Sequence, residues 1–81
     1  MPQFMDFHPD LKLSQQSIDG LAAGARAGAT DEFGVRQVEL YHNSEGKVYC
    51  LLDAPSAQAV RDHHAALGVD CGEVHEVTGI I

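Results

Sequence analysis

Aspartate and histidine residues near the start of this sequence have the types and spacing needed for chemistry. The chain carries five histidines, and His8 follows Asp6 by two positions in the segment "FMDFH". Side chains two apart on a β-strand point to the same face, so these two can act together. Imidazole and carboxylate suit a borderline divalent metal such as nickel, zinc or copper, and six nitrogen and oxygen donors would suit nickel.

A pair of adjacent histidines closes the segment "VRDHHAALG". On a helix His63 and His64 point about 100° apart, so at most one of them can aim at a given site. Either can instead interact with the dipole at the helix C-terminus. We expect His42, which abuts a turn, to be solvated, whereas His75 can be a hydrogen-bonded core residue or a ligand.

The elements that must position these residues follow the order βαββαβ. Alternation over residues 3–8 predicts a first strand that stops at Pro9, and "VRQVELYH" and "KVYCLL" around "NSEG" predict a β-hairpin. Ser14 or Ser17 can cap a helix that runs to about Ala29. "APSAQAVRDHHAALG" predicts a second helix, and "GEVHEVTGII" a last strand.

This order predicts one α+β domain over residues 1–81, a ferredoxin-like βαββαβ sandwich. Its four-stranded antiparallel sheet has the spatial order 4-1-3-2, and both helices lie on one face. In that topology all five histidines fall at the same edge of the sheet. The sequence therefore predicts a candidate site at this edge, with His8 as its strongest member.

The other face of the sheet has no cover. Taking the more apolar set of each strand as helix-facing assigns to the core Met5, Phe7, Val38, Leu40, Val48, Cys50, Leu52 and Val77. The open face then carries Phe4, Asp6, His8, Val35, Gln37, Glu39, Tyr41, Tyr49, Leu51, Val74, Glu76 and Ile80. Such a face is rarely left in water, so we expect a sheet-to-sheet homodimer of the dimeric α/β-barrel type. A monomer with a solvated sheet face is the alternative.

Composition excludes several classes of partner. Lys and Arg number 5 against 12 Asp and Glu, a net charge of 5 − 12 = −7, so we expect no nucleic-acid binding. No apolar run reaches the roughly 20 residues of a membrane span, and no signal peptide is recognisable. Two cysteines, Cys50 and Cys71, are too few for a disulfide framework. The expectation is a cytoplasmic protein with one buried thiol and one loop thiol.

Three segments resemble a known family: "FMDFH", "GKVYCLLDAPSAQAVRDHH" and "EVHEVTGI". They are similar to a small single-domain family of unknown function whose members are labelled nickel-binding or nickel-responsive. The resemblance implies a ferredoxin-like fold, a dimer formed through the sheets, and a transition-metal site that includes His8 and His64. Asp6, Tyr41 and Cys50 lie within or near matching blocks.

The sequence departs from that family pattern at two positions. Glu39 stands where a histidine is expected in nickel-labelled relatives, and Pro9 follows His8 where a second histidine can occur. The resulting candidate metal ligands are His8, His64, Asp6, Tyr41 and Glu39. The departures imply weaker binding, preference for another metal, or loss of the site.

Three functions remain open at this point. The favoured one is a metal-binding protein for nickel storage, buffering or sensing, without turnover of its own. The competitor is a small dimeric α/β-barrel enzyme of monooxygenase or isomerase type, or a ligand-binding module, that uses a pocket near His8. Its acid/base pair would be Asp6 with His8, or Tyr49 with Glu76. The third is a structural dimerisation module without a ligand.

Overall fold

A computed structural model, which describes all 81 residues, contains four strands and two helices. In chain order they are β1 (Gln3–His8), α1 (Gln15–Ala27), β2 (Arg36–His42), β3 (Val48–Asp53), α2 (Ala57–Leu67) and β4 (Val74–Val77). The strands form one antiparallel sheet in the order β2-β3-β1-β4. This is the predicted order 4-1-3-2 read from the opposite edge, and the ferredoxin-like α+β fold is confirmed.

Both helices begin at a serine cap and end at a glycine. The Ser14 hydroxyl accepts a hydrogen bond from the Ser17 backbone N–H, and Ser56 does the same for Ala59, which satisfies backbone donors that a helix start leaves free. Gly28 and Gly68 follow the helices with φ of 68° and 69°, a left-handed conformation that ends a helix. Neither helix is long and apolar enough to cross a membrane.

A tight turn joins β2 to β3, as the sequence predicts. The Asn43 side-chain oxygen accepts hydrogen bonds from the backbone N–H groups of Glu45 and Lys47 at 3.0 and 3.2 Å. Gly46 adopts a φ of 81°, which favours glycine because other side chains rarely occupy that region. The turn sets the register that places Leu40 opposite Cys50 on the helix-facing side.

The apolar core lies between the helices and the two central strands, β1 and β3. Its eight buried members are Phe4, Val35, Val48, Cys50, Leu52, Ala54, Ala59 and Val60. The predicted helix-facing set on β3 is confirmed, since Val48, Cys50 and Leu52 are all buried.

The predicted faces of β1 and β4 are wrong. Asp6 of β1 lies opposite Cys50 of β3 and shares its helix-facing side. Phe4, Asp6 and His8 are therefore buried under the helices, whereas Met5 and Phe7 are exposed on the open face. On β4, Val74 pairs with Asp6 and shares its face, and His75 pairs with Met5 on the open face. Choosing the more apolar side of a strand as its buried side fails here because each strand has apolar residues on both faces. On β1 the buried side also carries the polar residues Asp6 and His8.

A β-bulge changes the facing of side chains within β2. The register shifts between Gln37 and Glu39, so Gln37 pairs with Leu52 while Glu39 pairs with Leu51. A bulge adds one residue to a strand and reverses the alternation beyond it. Gln37 consequently lies on the helix-facing side, against the prediction, and Glu39 lies on the open face, as predicted.

Candidate metal centre

Three side chains meet in the interior between β1 and α2: Asp6, His8 and His64. His64 Nε2 lies 2.8 Å from Asp6 Oδ2, and His8 Nε2 lies 3.4 Å from the same oxygen. The two Nε2 atoms are 3.2 Å apart. The residues are 1%, 4% and 5% exposed in that order, so the cluster is shielded from water. Asp6 and His8 are two positions apart on β1, so their side chains point to the same face of the sheet. His64 lies in the last turn of α2, which packs over that face.

Backbone carbonyls fix the orientation of both imidazoles. His8 Nδ1 donates a hydrogen bond to the Asp70 carbonyl at 3.0 Å, and His64 Nδ1 donates one to the Val60 carbonyl at 2.8 Å. A carbonyl oxygen can only accept, so each Nδ1 must carry the proton. In the neutral rings, both Nε2 atoms therefore present lone pairs towards Asp6. A histidine held in this way is the usual form of a metal ligand.

Asp6 is a buried carboxylate without an aligned hydrogen-bond donor on either oxygen. Its contact with His64 is an ion-pair contact by distance. Burial acts to raise the pKa of Asp6, but the polar contact with His64 and the charges of His64 and His8 outweigh it, so the pKa lies below its ordinary value. A buried charge is costly unless it is paired, so this carboxylate needs a cation beside it.

When His64 is protonated, it supplies that cation in the metal-free protein. Burial acts to lower the pKa of His64, but its contact with Asp6 and its bond to the Val60 carbonyl raise the pKa above the ordinary value. A divalent metal is the alternative. Donor atoms bound at about 2.0–2.1 Å to one ion lie roughly 2.8–3.4 Å apart in octahedral or tetrahedral arrangements. The three separations of 2.8, 3.2 and 3.4 Å fit that range closely.

Two cysteine thiols lie next to these donors. Donor atoms of Asp6, His8 and Cys50 lie within 4.8 Å of one another, as do those of Asp6, His64 and Cys71. Burial raises the pKa of both thiols and the Asp6 charge raises it further, although Arg61 opposes the shift at Cys71. From the sequence we expected one buried thiol and one loop thiol, and we named neither cysteine among the candidate ligands. The sequence does place Cys50 on the helix-facing side of β3. Placing it beside Asp6 requires the pairing register of β1 with β3, which the sequence alone does not give.

The other predicted ligands do not join this cluster. Tyr41 and Glu39 lie on the open face of β2, where the tyrosine hydroxyl donates a hydrogen bond to the glutamate at 2.5 Å. This contact, with the glutamate charge, raises the pKa of Tyr41. The sheet separates the pair from Asp6. The structure thus brings together Asp6, His8 and His64 and leaves Tyr41 and Glu39 elsewhere.

The remaining histidines are also dispersed. His63 pairs with Asp31 and His64 with Asp6, so only one of the two adjacent histidines reaches the cluster, as expected; their rings meet edge to face with centroids 5.3 Å apart. His75 is exposed and lies 3.2 Å from Glu73. His42 is exposed at the end of β2. Of the five histidines predicted at one edge, only His8 and His64 contact Asp6.

A mostly apolar cavity of about 370 Å³ lies between α1 and the sheet, bordered at one end by the metal-centre candidates. Its wall includes His8, His64 and Cys50 together with leucines such as Leu21 and Leu40. A second, more polar cavity of about 630 Å³ lies beside the loop after α2. His8 lines both cavities, so the donor cluster has a route to solvent.

Comparison with known proteins agrees with this architecture. The family model described as "Nickel responsive protein SCO4226-like" matches residues 4–77. The fold is similar to the crystal structure of SCO4226 from Streptomyces coelicolor A3(2), with a TM-score of 0.75, 26% sequence identity, and coverage of 98% of this chain and 99% of that chain. No curated protein matches the sequence. The family resemblance is confirmed: this chain belongs to the SCO4226-like family of nickel responsive proteins.

Proposed function

We propose that this protein binds one divalent transition metal per chain, with nickel the first candidate, and serves in metal storage, buffering or sensing. Asp6, His8 and His64 would hold the ion. The observation that carries the proposal is the pair of imidazoles whose Nδ1 atoms are fixed on carbonyls and whose Nε2 atoms converge on a buried carboxylate. The family name supports nickel as the metal.

The chemistry of the donor set fits a borderline metal. Two imidazole nitrogens and one carboxylate oxygen suit nickel, zinc or copper and are poor ligands for magnesium or calcium, which take oxygen donors. A bound divalent cation would also neutralise the Asp6 charge, the role that the His64 proton has in the metal-free protein. Metal and proton therefore compete for the same place.

Titration of the untagged full-length chain with nickel tests the proposal. We expect saturable binding near one ion per chain by calorimetry. Mutation of groups that only orient metal ligands costs about 10–100-fold in affinity, so loss of a true ligand in His8→Ala or His64→Ala should cost at least about 100-fold.

The chain offers two matched controls. His63→Ala removes the neighbouring ring on the same helix, and His42→Ala removes an exposed histidine. His42→Ala should change the affinity by no more than about twofold, within the scatter of surface substitutions. His63→Ala removes a ring that packs edge to face against His64, so its effect should stay below about tenfold, less than the loss of a ligand. Equal losses in all four variants would indicate adventitious surface binding, and absence of saturable binding tighter than about millimolar would overturn the proposal.

We propose further that the protein is a homodimer formed through the open sheet face. That face exposes Met5, Phe7, Tyr41 and Tyr49 by 37–60%, and the Phe7 and Tyr49 rings are 4.9 Å apart. A second copy offers the same patch, and a two-fold contact would bury both. The metal-centre candidates lie on the other face of the sheet, so each protomer would hold its own complete site.

Ligand binding in the cavity between α1 and the sheet is the second candidate function. An engineered cavity of about 150 Å³ is enough to bind benzene, and the cavity here is about 370 Å³ with eight apolar residues in its wall. An acid/base enzyme at this place would use Asp6 and His64, which are already paired.

Two free thiols fit a reducing compartment, so we propose a cytoplasmic location.

A further inference from the structure

Two sulfur atoms flank Asp6 from opposite sides. Cys50 lies directly opposite Asp6 on β3, and Cys71 lies in the loop between α2 and β4, whose Val74 is the opposite neighbour of Asp6. Each thiol shares a cluster with Asp6 and one of the two histidines, with donor atoms within 4.8 Å of one another. The carboxylate thus has a thiol near it on each side, whereas both imidazoles meet at one of its oxygens, Oδ2.

The burial of the Asp6 carboxylate is a second, independent observation. Its side chain is fully buried, and although His64 Nε2 lies 2.8 Å from Oδ2, neither oxygen receives a well-aligned hydrogen bond. Buried polar groups in proteins are normally satisfied, so a buried carboxylate left in this state calls for an explanation such as an ion.

The loop that carries Cys71 is fixed to the centre by the neighbouring residue. The Asp70 carbonyl accepts the hydrogen bond from His8 Nδ1 at 3.0 Å, which ties the loop to β1. Cys71 is half-buried and lines the second cavity together with His8. An ion that arrives through this cavity would meet the Cys71 sulfur and the His8 imidazole before it reaches Cys50, which is buried in the sheet.

We propose that thiolate sulfur completes the metal centre, with Cys71 as the ligand on the solvent side and Cys50 as the ligand on the sheet. The inference rests on the proposed metal-binding function. For each cysteine, a metal–sulfur bond forms, the S–H bond breaks, and the proton leaves to solvent, with no change of oxidation state. Sulfur donors extend the affinity of the centre towards softer ions such as zinc and copper(I), and away from magnesium, calcium and manganese.

Absorption spectroscopy of the full-length chain tests this inference. Titration with cobalt(II) or nickel(II) should produce a near-ultraviolet sulfur-to-metal charge-transfer band that grows until one equivalent is bound. Bound metal should also slow alkylation of Cys71 by iodoacetamide at least about tenfold, because a coordinated thiolate is withdrawn from reaction. Cys71→Ser should weaken the band and lower the affinity at least about tenfold.

Cys71→Ser is the primary variant because its side chain is only half-buried, whereas Cys50→Ser places a hydroxyl in the core. The wild-type spectrum is informative even if a variant fails to fold. Binding that depends on His8 but gives no charge-transfer band and leaves Cys71 alkylation unchanged would overturn the thiolate inference and leave the proposed function standing. Absence of any metal binding would overturn both.

Discussion

The pair formed by Asp6 and His64 makes the stability of the metal-free protein depend on pH in a definite way. The His64 pKa is raised on folding, so its contribution is fully present below the unfolded value of about 6.5 and is lost as the pH rises through the folded pKa. The Asp6 pKa is lowered, so its contribution is present above about 3.9 and is lost as the pH falls through the folded pKa. The pair therefore stabilises most between about pH 4 and 6.5.

Asp6→Asn removes the charge and keeps the shape. Loss of one partner of a buried ion pair costs about 3–5 kcal/mol, and we expect the lower end because the amide oxygen still accepts from an imidazole. At about 4–8 °C per kcal/mol for a domain of this size, the melting temperature at about pH 5.5 should fall by roughly 12–24 °C. Thermal unfolding followed by circular dichroism, with a chelator present, measures this shift.

The same experiment at about pH 8.5 should give a smaller difference, because the protonated fraction of His64 falls as the pH rises and the neutral ring presents a lone pair to the carboxylate. Asp31→Asn is the matched control, since Asp31 pairs with His63 at a partly exposed position. Exposed pairs contribute about 0–1 kcal/mol, and the amide oxygen can still accept the backbone hydrogen bonds from Phe33 and Val35, so this variant should melt within about 8 °C of the wild type. The reasoning is refuted if Asp6→Asn leaves the melting temperature unchanged at the lower pH, or if its loss is equally large at both pH values.

Three further outcomes follow from the same geometry. Nickel affinity should fall at least about tenfold per pH unit below the raised pKa of His64, because binding displaces the proton that His64 shares with Asp6; pH-independent calorimetric affinities would contradict this. In metal-free protein Cys71 should react with a thiol reagent faster than Cys50, which is buried; mass spectrometry of partly labelled protein distinguishes the two, and equal rapid labelling would be contrary evidence. Light scattering should give a mass of about 17 kDa, twice the 8.7 kDa chain, and Phe7→Glu on the open face should halve it; a wild-type monomer at high concentration would refute the dimer.

The order of elements could be predicted from the sequence because its signals are local. Ser56 and Gly68 bound the second helix, and Gly46 closes the hairpin by its own conformational preference. The connection order then leaves few topologies, so the sheet order followed as well. His8, His64 and Asp6 were chosen from residue type, spacing and the family resemblance, and the structure places them together.

The faces of β1 were not predictable in the same way. Burial of Asp6 and His8 in place of Met5 and Phe7 violates the apolar criterion, and only contact with His64, 56 residues from His8 in the chain, explains it. Local patterns contain no information on such a partner. Burying a polar side chain costs free energy unless a partner or a ligand compensates for it. A strand with buried polar residues is therefore expected at a functional site.

The same limit explains the thiols and the bulge. The place of Cys50 beside Asp6 depends on the β1–β3 register, which is set by pairing across the sheet. The bulge near Gln37 depends on how β2 fits against β3, and the sequence of β2 carries no glycine to mark it. Tyr41 and Glu39 were assigned from the family resemblance, and this sheet places them on the face away from Asp6.

Anomalous diffraction from crystals of the nickel-loaded protein can show whether one divalent metal is held between β1 and the end of α2. We expect one strong anomalous peak per chain at the nickel absorption edge, bonded to His8 Nε2, His64 Nε2 and the Asp6 carboxylate. A peak at the exposed His75 and Glu73 pair alone, or at His42, with His8 and His64 in contact only with each other and Asp6, would contradict it.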